Sequence, residues 1–380
     1  MNNQSSIGSR WRGFQACDPG AGDSWAAGQA VRRPDTSKPS LIEGRSIGIG
    51  RVGGCRAFAK TTAEAASLAQ TKSEERGLGL RCPAMPELPD ILVYVNALRD
   101  RVVGERLDHV RVLSPFLLRT HDPPLESVEG HRVVEVGRIG KRITIGFDNE
   151  VFLVFHLMIA GRFRWSAPSG RPPGKITLAL LAFPAGRLVL TEAAKRKRAS
   201  LHIVADRSRL AEFDAGGLDV LSADLPSFTA ALRRENHTLK RALTDPRILD
   251  GIGNAYSDEI LHAARLSPVL LTSRLTDAEV ARLHLAAKET LSRWTERLRA
   301  QFAERFPGPG DIVAFRPDFA VHGRFGKACP TCGARVQRIR YAENETNYCP
   351  TCQVGGRLLA DRSMSRLLGA DRPRTVGDLE

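Results

Sequence analysis

Met85-Pro86-Glu87-Leu88-Pro89-Asp90 sets a proline beside two acids. A proline whose nitrogen is freed by removal of everything before it is a secondary amine. Such an amine can attack a sugar carbon and form an iminium, which is covalent amine catalysis. A free α-amino group has a pKa of about 7.7–8, so part of it is unprotonated near neutrality. While Met85 stays attached, the nitrogen is an amide and has no nucleophilic lone pair. The same stretch also reads as a plain helix start, with Pro89 in a first turn and an apolar run behind it.

Cys329-x2-Cys332 and Cys349-x2-Cys352 are the second chemical signal. Four thiolates on two tight knuckles can close a tetrahedral Zn²⁺ site. With all four positions cysteine, no position is left for water, so the zinc is expected to be structural. A redox CxxC pair is the rival reading, and the second pair at ribbon spacing argues against it. Cysteine use of this kind suits a reducing compartment such as the cytoplasm.

Four weaker signals lie between. Gly251-Ile252-Gly253-Asn254 has the glycines of a tight turn, and N–H groups exposed at a helix start bind phosphate. Asn254 would add a side-chain donor, though an ordinary N-cap has the same look. Lys141 follows Arg138-Ile139-Gly140 at a strand start, where a solvated charge is commonplace. His156 ends an apolar strand, as packing histidines often do. Lys195-Arg196-Lys197-Arg198 reads as a solvated basic turn or as a tracker of phosphates.

The elements that must position these groups follow from periodicity. Ile91, Leu92, Val95, Leu98 and Val102 fall at helical spacing, and Gly104 closes the run. Strand-like segments are expected at 106–113, 131–138, 142–147, 151–157, 175–182, 187–191 and 200–204, a spacing that suits a β-sandwich or barrel. Helices are expected at 228–233, 239–243, 254–264 and 276–302. A cysteine-rich hairpin occupies 321–352, and a basic tail follows.

The chain has 56 Lys+Arg against 42 Asp+Glu, a net charge of +14. That excess favours a polyanion, with nucleic acid first. No apolar run approaches a membrane span. Residues 1–84 hold 12 basic and 7 acidic residues and no sustained period, so the remaining 296 are basic on their own. This segment is expected to be disordered, or to reflect a start placed too far upstream with Met85 as the true start.

Met-Pro-Glu-Leu-Pro, Gly-Lys before a strand, His-Leu-Met-Ile-Ala-Gly, Gly-Ile-Gly-Asn-Ala-Tyr-Ser-Asp-Glu and a four-cysteine ribbon occur here in one order. That order resembles the formamidopyrimidine-DNA glycosylase/endonuclease VIII family of base-excision repair, from Pro86 to about Gln353. The resemblance implies an α+β chain. A helix plus β-sandwich lobe would fill 85–213, a helix–two-turn–helix domain 214–306 and a zinc ribbon 321–353, with a basic tail over 354–380. It implies a monomer acting on duplex DNA that carries oxidised bases or abasic sites, as glycosylase and AP lyase, with one structural zinc.

Residue by residue, the resemblance gives Pro86 the nucleophile's role and Glu87 that of acid/base at the deoxyribose ring oxygen. Lys141 would contact the phosphate beside the lesion, and Asn254, with Gly253 before it, would hold the same region. Lys240 and Glu259 match further positions near the site. Three departures accompany it. Asn344 stands where a phosphate-binding arginine is expected, and Asn has neither the charge nor the fork, so either phosphate binding is weaker or a neighbour such as Arg338 or Arg340 substitutes. Thr191–Arg198 replaces an Arg-Phe wedge. Ile159 takes the place of a void-filling methionine, with Met158 one position earlier.

Overall fold

The computed structural model describes residues 85–313, 315–341, 344–359 and 374–379. The expected 1–84 extension and most of the basic tail lie outside the described residues.

Helix α1, Leu88–Val102, has Pro89 in its first turn, where the fixed φ suits a helix and the missing N–H would have had no partner. Asp90 Oδ2 accepts the Glu87 N–H at 3.0 Å. Its Oδ1 lies 2.5 Å from Arg316 Nη2, a pair buried on both sides. Val103 turns to extended backbone and Gly104 follows at φ +86°, which ends the helix.

Two four-stranded antiparallel sheets follow. One runs β1 (His109–Val112), β6 (Thr177–Phe183), β7 (Gly186–Glu192), β5 (Gly161–Ser166). The other runs β2 (Val133–Ile139), β3 (Arg142–Phe147), β4 (Phe152–His156), β8 (Ser200–Val204). Ile143, Phe155, Phe163, Leu190 and Leu201 fill one core between them, joined by Ile91, Tyr94 and Leu98 of α1. Each such fully buried side chain is worth about 1.5–3 kcal/mol relative to exposure.

Sequence reasoning passes over β5, because Arg162 and Arg164 interrupt its apolar pattern. Arg162 is 7% exposed and donates to the carbonyls of Ile312, Ile159 and Gly161 at 2.7–3.1 Å. The charge is satisfied inside the fold, which no local pattern announces. The turn from β4 into β5 holds Met158 at φ +52°, a conformation non-glycine residues rarely adopt.

Helices α2 (Leu225–Arg233), α3 (Leu239–Thr244), α4 (Asn254–Ala263) and α5 (Asp277–Gln301) build a second core. Asp224 caps α2 through the Ser227 N–H at 2.9 Å. A capping box of Thr276 and Glu279 opens α5. Leu88 of α1 belongs to this core, so α1 serves both cores at once. Strands β9 (Gln337–Tyr341) and β10 (Asn344–Tyr348) with helix α6 (Pro350–Val354) form the hairpin unit. The expected α+β class is what the chain adopts. Among the described residues no helix is long and apolar enough to cross a membrane.

Candidate active site

Glu87 is 3% exposed and lies against the start of α4. Its Oε2 accepts the N–H groups of Gly253 at 2.7 Å and Tyr256 at 3.2 Å, and its Oε1 that of Ala255 at 2.8 Å. An anion here also meets the positive end of the helix dipole. Gly253 permits the approach: a Cβ on it would come within 2.4 Å of Glu87 Cδ. Gly251, at φ +79°, accepts the Leu88 N–H on its carbonyl at 3.0 Å. The expectation that these N–H groups stand open to a phosphate is therefore corrected. They receive a carboxylate from the same chain, and the part played by Gly253 is to make room for it.

Gly140, at φ +59°, turns the chain from β2 to β3 and delivers Lys141 toward Glu87. Behind the turn, Arg138 lies 2.5 Å from Asp250 and 3.2 Å from Asp219. The expected solvated strand-end charge is not what forms, because burial pushes the Lys141 ammonium below its usual range against the pull of Glu87 and Asp250. Burial likewise pushes the Glu87 carboxyl up, opposed by Lys141 and the N–H bonds. Both shifts run toward neutrality, with desolvation the first cause of each and the opposite charge of the partner opposing it. The Lys141 ammonium has no hydrogen-bond partner among the described residues. Pro86 is buried immediately before Glu87.

Asn254 Nδ2 donates to the Glu345 carbonyl at 2.9 Å, so its amide reaches into the hairpin. Lys240 Nζ lies 2.5 Å from Asp258 Oδ1 and 2.7 Å from the Asn254 carbonyl. Asp258 Oδ2 takes His322 Nδ1 at 2.7 Å and the Asn347 N–H at 3.0 Å. Burial works to raise the Asp258 carboxyl, but Lys240 and His322 outweigh it and hold it low. Glu259 accepts the N–H groups of Ala320, Val321 and His322 at 2.7–2.9 Å, and burial raises its carboxyl. Adjacent acids on a helix buried all round thus anchor the strap that leads into the ribbon. Asp258 and His322 escape sequence reasoning, although two acids inside an otherwise apolar helix are a usable signal.

The arginines weighed as substitutes at Asn344 both face Glu345: Arg338 Nη1 at 3.2 Å and Arg340 Nε at 3.5 Å. The Asn344 side chain lies outside the described residues. His156 pairs with Arg142 on β3 and Ser200 on β8. Burial and the neighbouring Arg142 and Lys141 push its pKa down to about 4, so it is neutral near pH 7. In the basic turn, the Arg198 and Ala199 N–H groups rest on the Glu192 carboxylate at 3.0–3.2 Å.

The Sγ atoms of Cys329, Cys332, Cys349 and Cys352 all lie within 4.8 Å of one another. Tetrahedral Zn–S bonds of about 2.3 Å require sulfurs about 3.8 Å apart, so one zinc ion fits this group. The donor set leaves no open position, and the zinc is structural. Cys349→Ser is expected to lose most of the metal, because site formation and ribbon folding are one process. Metal analysis of the purified variant checks this, and full zinc stoichiometry would remove Cys349 from the ligand set.

Comparison with known proteins gives a consistent outcome. Residues 85–200 match the formamidopyrimidine-DNA glycosylase N-terminal domain, 217–301 the formamidopyrimidine-DNA glycosylase H2TH domain, and 326–354 the zinc finger found in FPG and IleRS. The formamidopyrimidine-DNA glycosylase of Variovorax paradoxus is 31% identical over 273 residues, covering 71% of this chain and all of that protein. That of Thermus thermophilus is 32% identical over 276 residues, covering 72% and all of it. A Lactococcus lactis Fpg structure, solved in complex with N7-benzyl-Fapy-dG DNA, superposes with a TM-score of 0.64 at 24% identity, covering 71% of this chain and 100% of that one.

Proposed function

Because the chain belongs to the formamidopyrimidine-DNA glycosylase family of DNA repair, we propose that it excises oxidised purines of the formamidopyrimidine and 8-oxoguanine class from duplex DNA and then cuts the strand at the resulting abasic site. The observation that carries this reading is the buried Glu87 held on the α4 start beside Pro86, with the charge of the part-buried Lys141 acting on it. A base stacked in a duplex is out of reach of such a site, so the nucleotide must be flipped out.

A free Pro86 amine attacks C1′, and the base leaves with its bonding pair. Glu87, held by three N–H donors and pushed up by burial, supplies a proton to the ring oxygen and opens the sugar. The iminium nitrogen then draws electrons from the C2′–H bond. A base removes that proton and the 3′ phosphate departs, which is β-elimination; a second elimination releases the 5′ phosphate. Lys141 and Asn254 hold the phosphates beside the lesion, with Lys240 and the hairpin arginines Arg338 and Arg340 behind them. The sandwich over 85–213, the helices over 214–306 and the ribbon over 321–353 act as the parts of one monomeric clamp.

Base release from duplexes carrying formamidopyrimidine, 8-oxoguanine or an oxidised pyrimidine tests the reading. Release of purine lesions supports it. Release of pyrimidine lesions alone would reassign the substrate, a reading favoured by Ile159 and the basic Thr191–Arg198 segment. Binding without release would mark a non-catalytic damage-binding protein.

Lys141→Ala is expected to weaken duplex binding and to reduce the slope of log K against log salt by about 1, since one phosphate contact is lost. Titration at several salt concentrations measures it. A slope equal to that of the parent would take Lys141 off the phosphate.

A further inference from the structure

Helix α4 ends where the cysteine cluster begins. His262, in its last turn, is 8% exposed, and its Nε2 lies 3.3 Å from Cys329 Sγ. Cys329 is itself 3% exposed. A zinc-bound cysteine is a thiolate and has no proton to give, so the ring nitrogen must be the donor. The same sulfur accepts the Thr331 N–H from its own knuckle at 3.4 Å, as Cys349 accepts that of Cys352 at 3.4 Å. Among the described residues, Cys329 is the ligand that also receives a donor from outside the ribbon. His262 stands outside residues 326–354, the span that matches a zinc finger.

We propose that His262 is a positioning residue for the zinc centre: its Nε2–H, donated to Cys329 Sγ, orients that thiolate for the metal and fixes the cluster to helix α4. Four thiolates on one Zn²⁺ leave a net negative charge in a partly buried site. An N–H donor aimed at a sulfur takes up part of that charge, as partners of metal ligands commonly do. Backbone donors within the knuckles do this for the ribbon alone. The His262 bond makes metal retention depend on a helix whose other end holds Glu87. The inference rests on the zinc site and is independent of which lesion is excised.

The test uses the zinc-loaded full chain and two variants. His262→Phe keeps an aromatic ring and removes the donor. His262→Gln keeps an N–H donor of similar reach. In competition against a chromophoric chelator, H262F is expected to hold zinc about 10–100-fold more weakly, with H262Q close to the parent. In cobalt-substituted protein, the thiolate-to-metal charge-transfer band is expected to move to lower energy in H262F and to stay in place in H262Q. Should H262F fail to fold, His262→Asn, too short to reach the sulfur, takes its place. Parent-like zinc affinity and band position in the donor-free variant would overturn the proposal. Equal zinc loss in the donor-free variant and H262Q with an unmoved band would overturn it too, by reducing His262 to packing.

Discussion

A chain that begins at Pro86 is expected to be trapped by borohydride on a duplex carrying an abasic site, and a chain that keeps Met85 is expected to give no adduct. The contrast is all or none because it turns on one lone pair. In the Met85–Pro86 amide the nitrogen's electrons are delocalised into the carbonyl. Freed, the same nitrogen is a secondary amine that adds to the C1′ aldehyde and loses water, and the iminium accepts hydride to give a stable tertiary amine. The adduct mass is protein plus bound oligonucleotide less one oxygen atom, because water leaves before the iminium is reduced, and peptide mapping should place the bond at Pro86. An adduct on the chain that keeps Met85 would make some other amine the nucleophile. No adduct from either, with duplex still bound, would leave a damage-binding protein of the same fold.

Glu87→Gln is expected to slow base release by about 10²–10⁴-fold, the usual range for a lost general acid or base. It is also expected to lower stability, since three N–H donors meet two carboxylate oxygens in the parent. A glutamine keeps one oxygen and turns an NH₂ toward a donor. Leaving such a buried group unpaired costs about 1–3 kcal/mol. Single-turnover base release and thermal unfolding read the two effects separately. Affinity for duplex bearing an abasic analogue should change less than the rate. Parent-like release would end the acid/base role of Glu87, whatever the melting temperature does.

Most of the fold is legible in the sequence, because α1, β3, β8 and the four later helices carry their own periodicity. β5 is not, since Arg162 breaks the local pattern and finds its partners in Ile312, Ile159 and Gly161 only after folding. The site divides the same way. Glu87 and the glycine turn are each visible as motifs, but their contact spans 166 residues and depends on a missing Cβ, which no spacing encodes. The turn therefore reads as an anion site, which it is, while the anion proves to be internal. The four cysteines are legible as zinc ligands because knuckle spacing is local. His262 is not, because what matters is the end of the helix it sits on.

The separation along the chain between Glu87 and its donors is also a separation in time. At about 5–20 residues per second of synthesis, the donors at 253–256 emerge on the order of 10–30 s after the carboxylate they bind. For that interval α1 lacks the helical core that buries Leu88, while the sandwich strands, all made by Val204, are already available to Ile91, Tyr94 and Leu98. Closing so long a loop is slow as well as late. The Glu87 carboxylate is thus among the first groups made and among the last to reach its place, so that a nascent chain carries one side of this contact long before the contact forms.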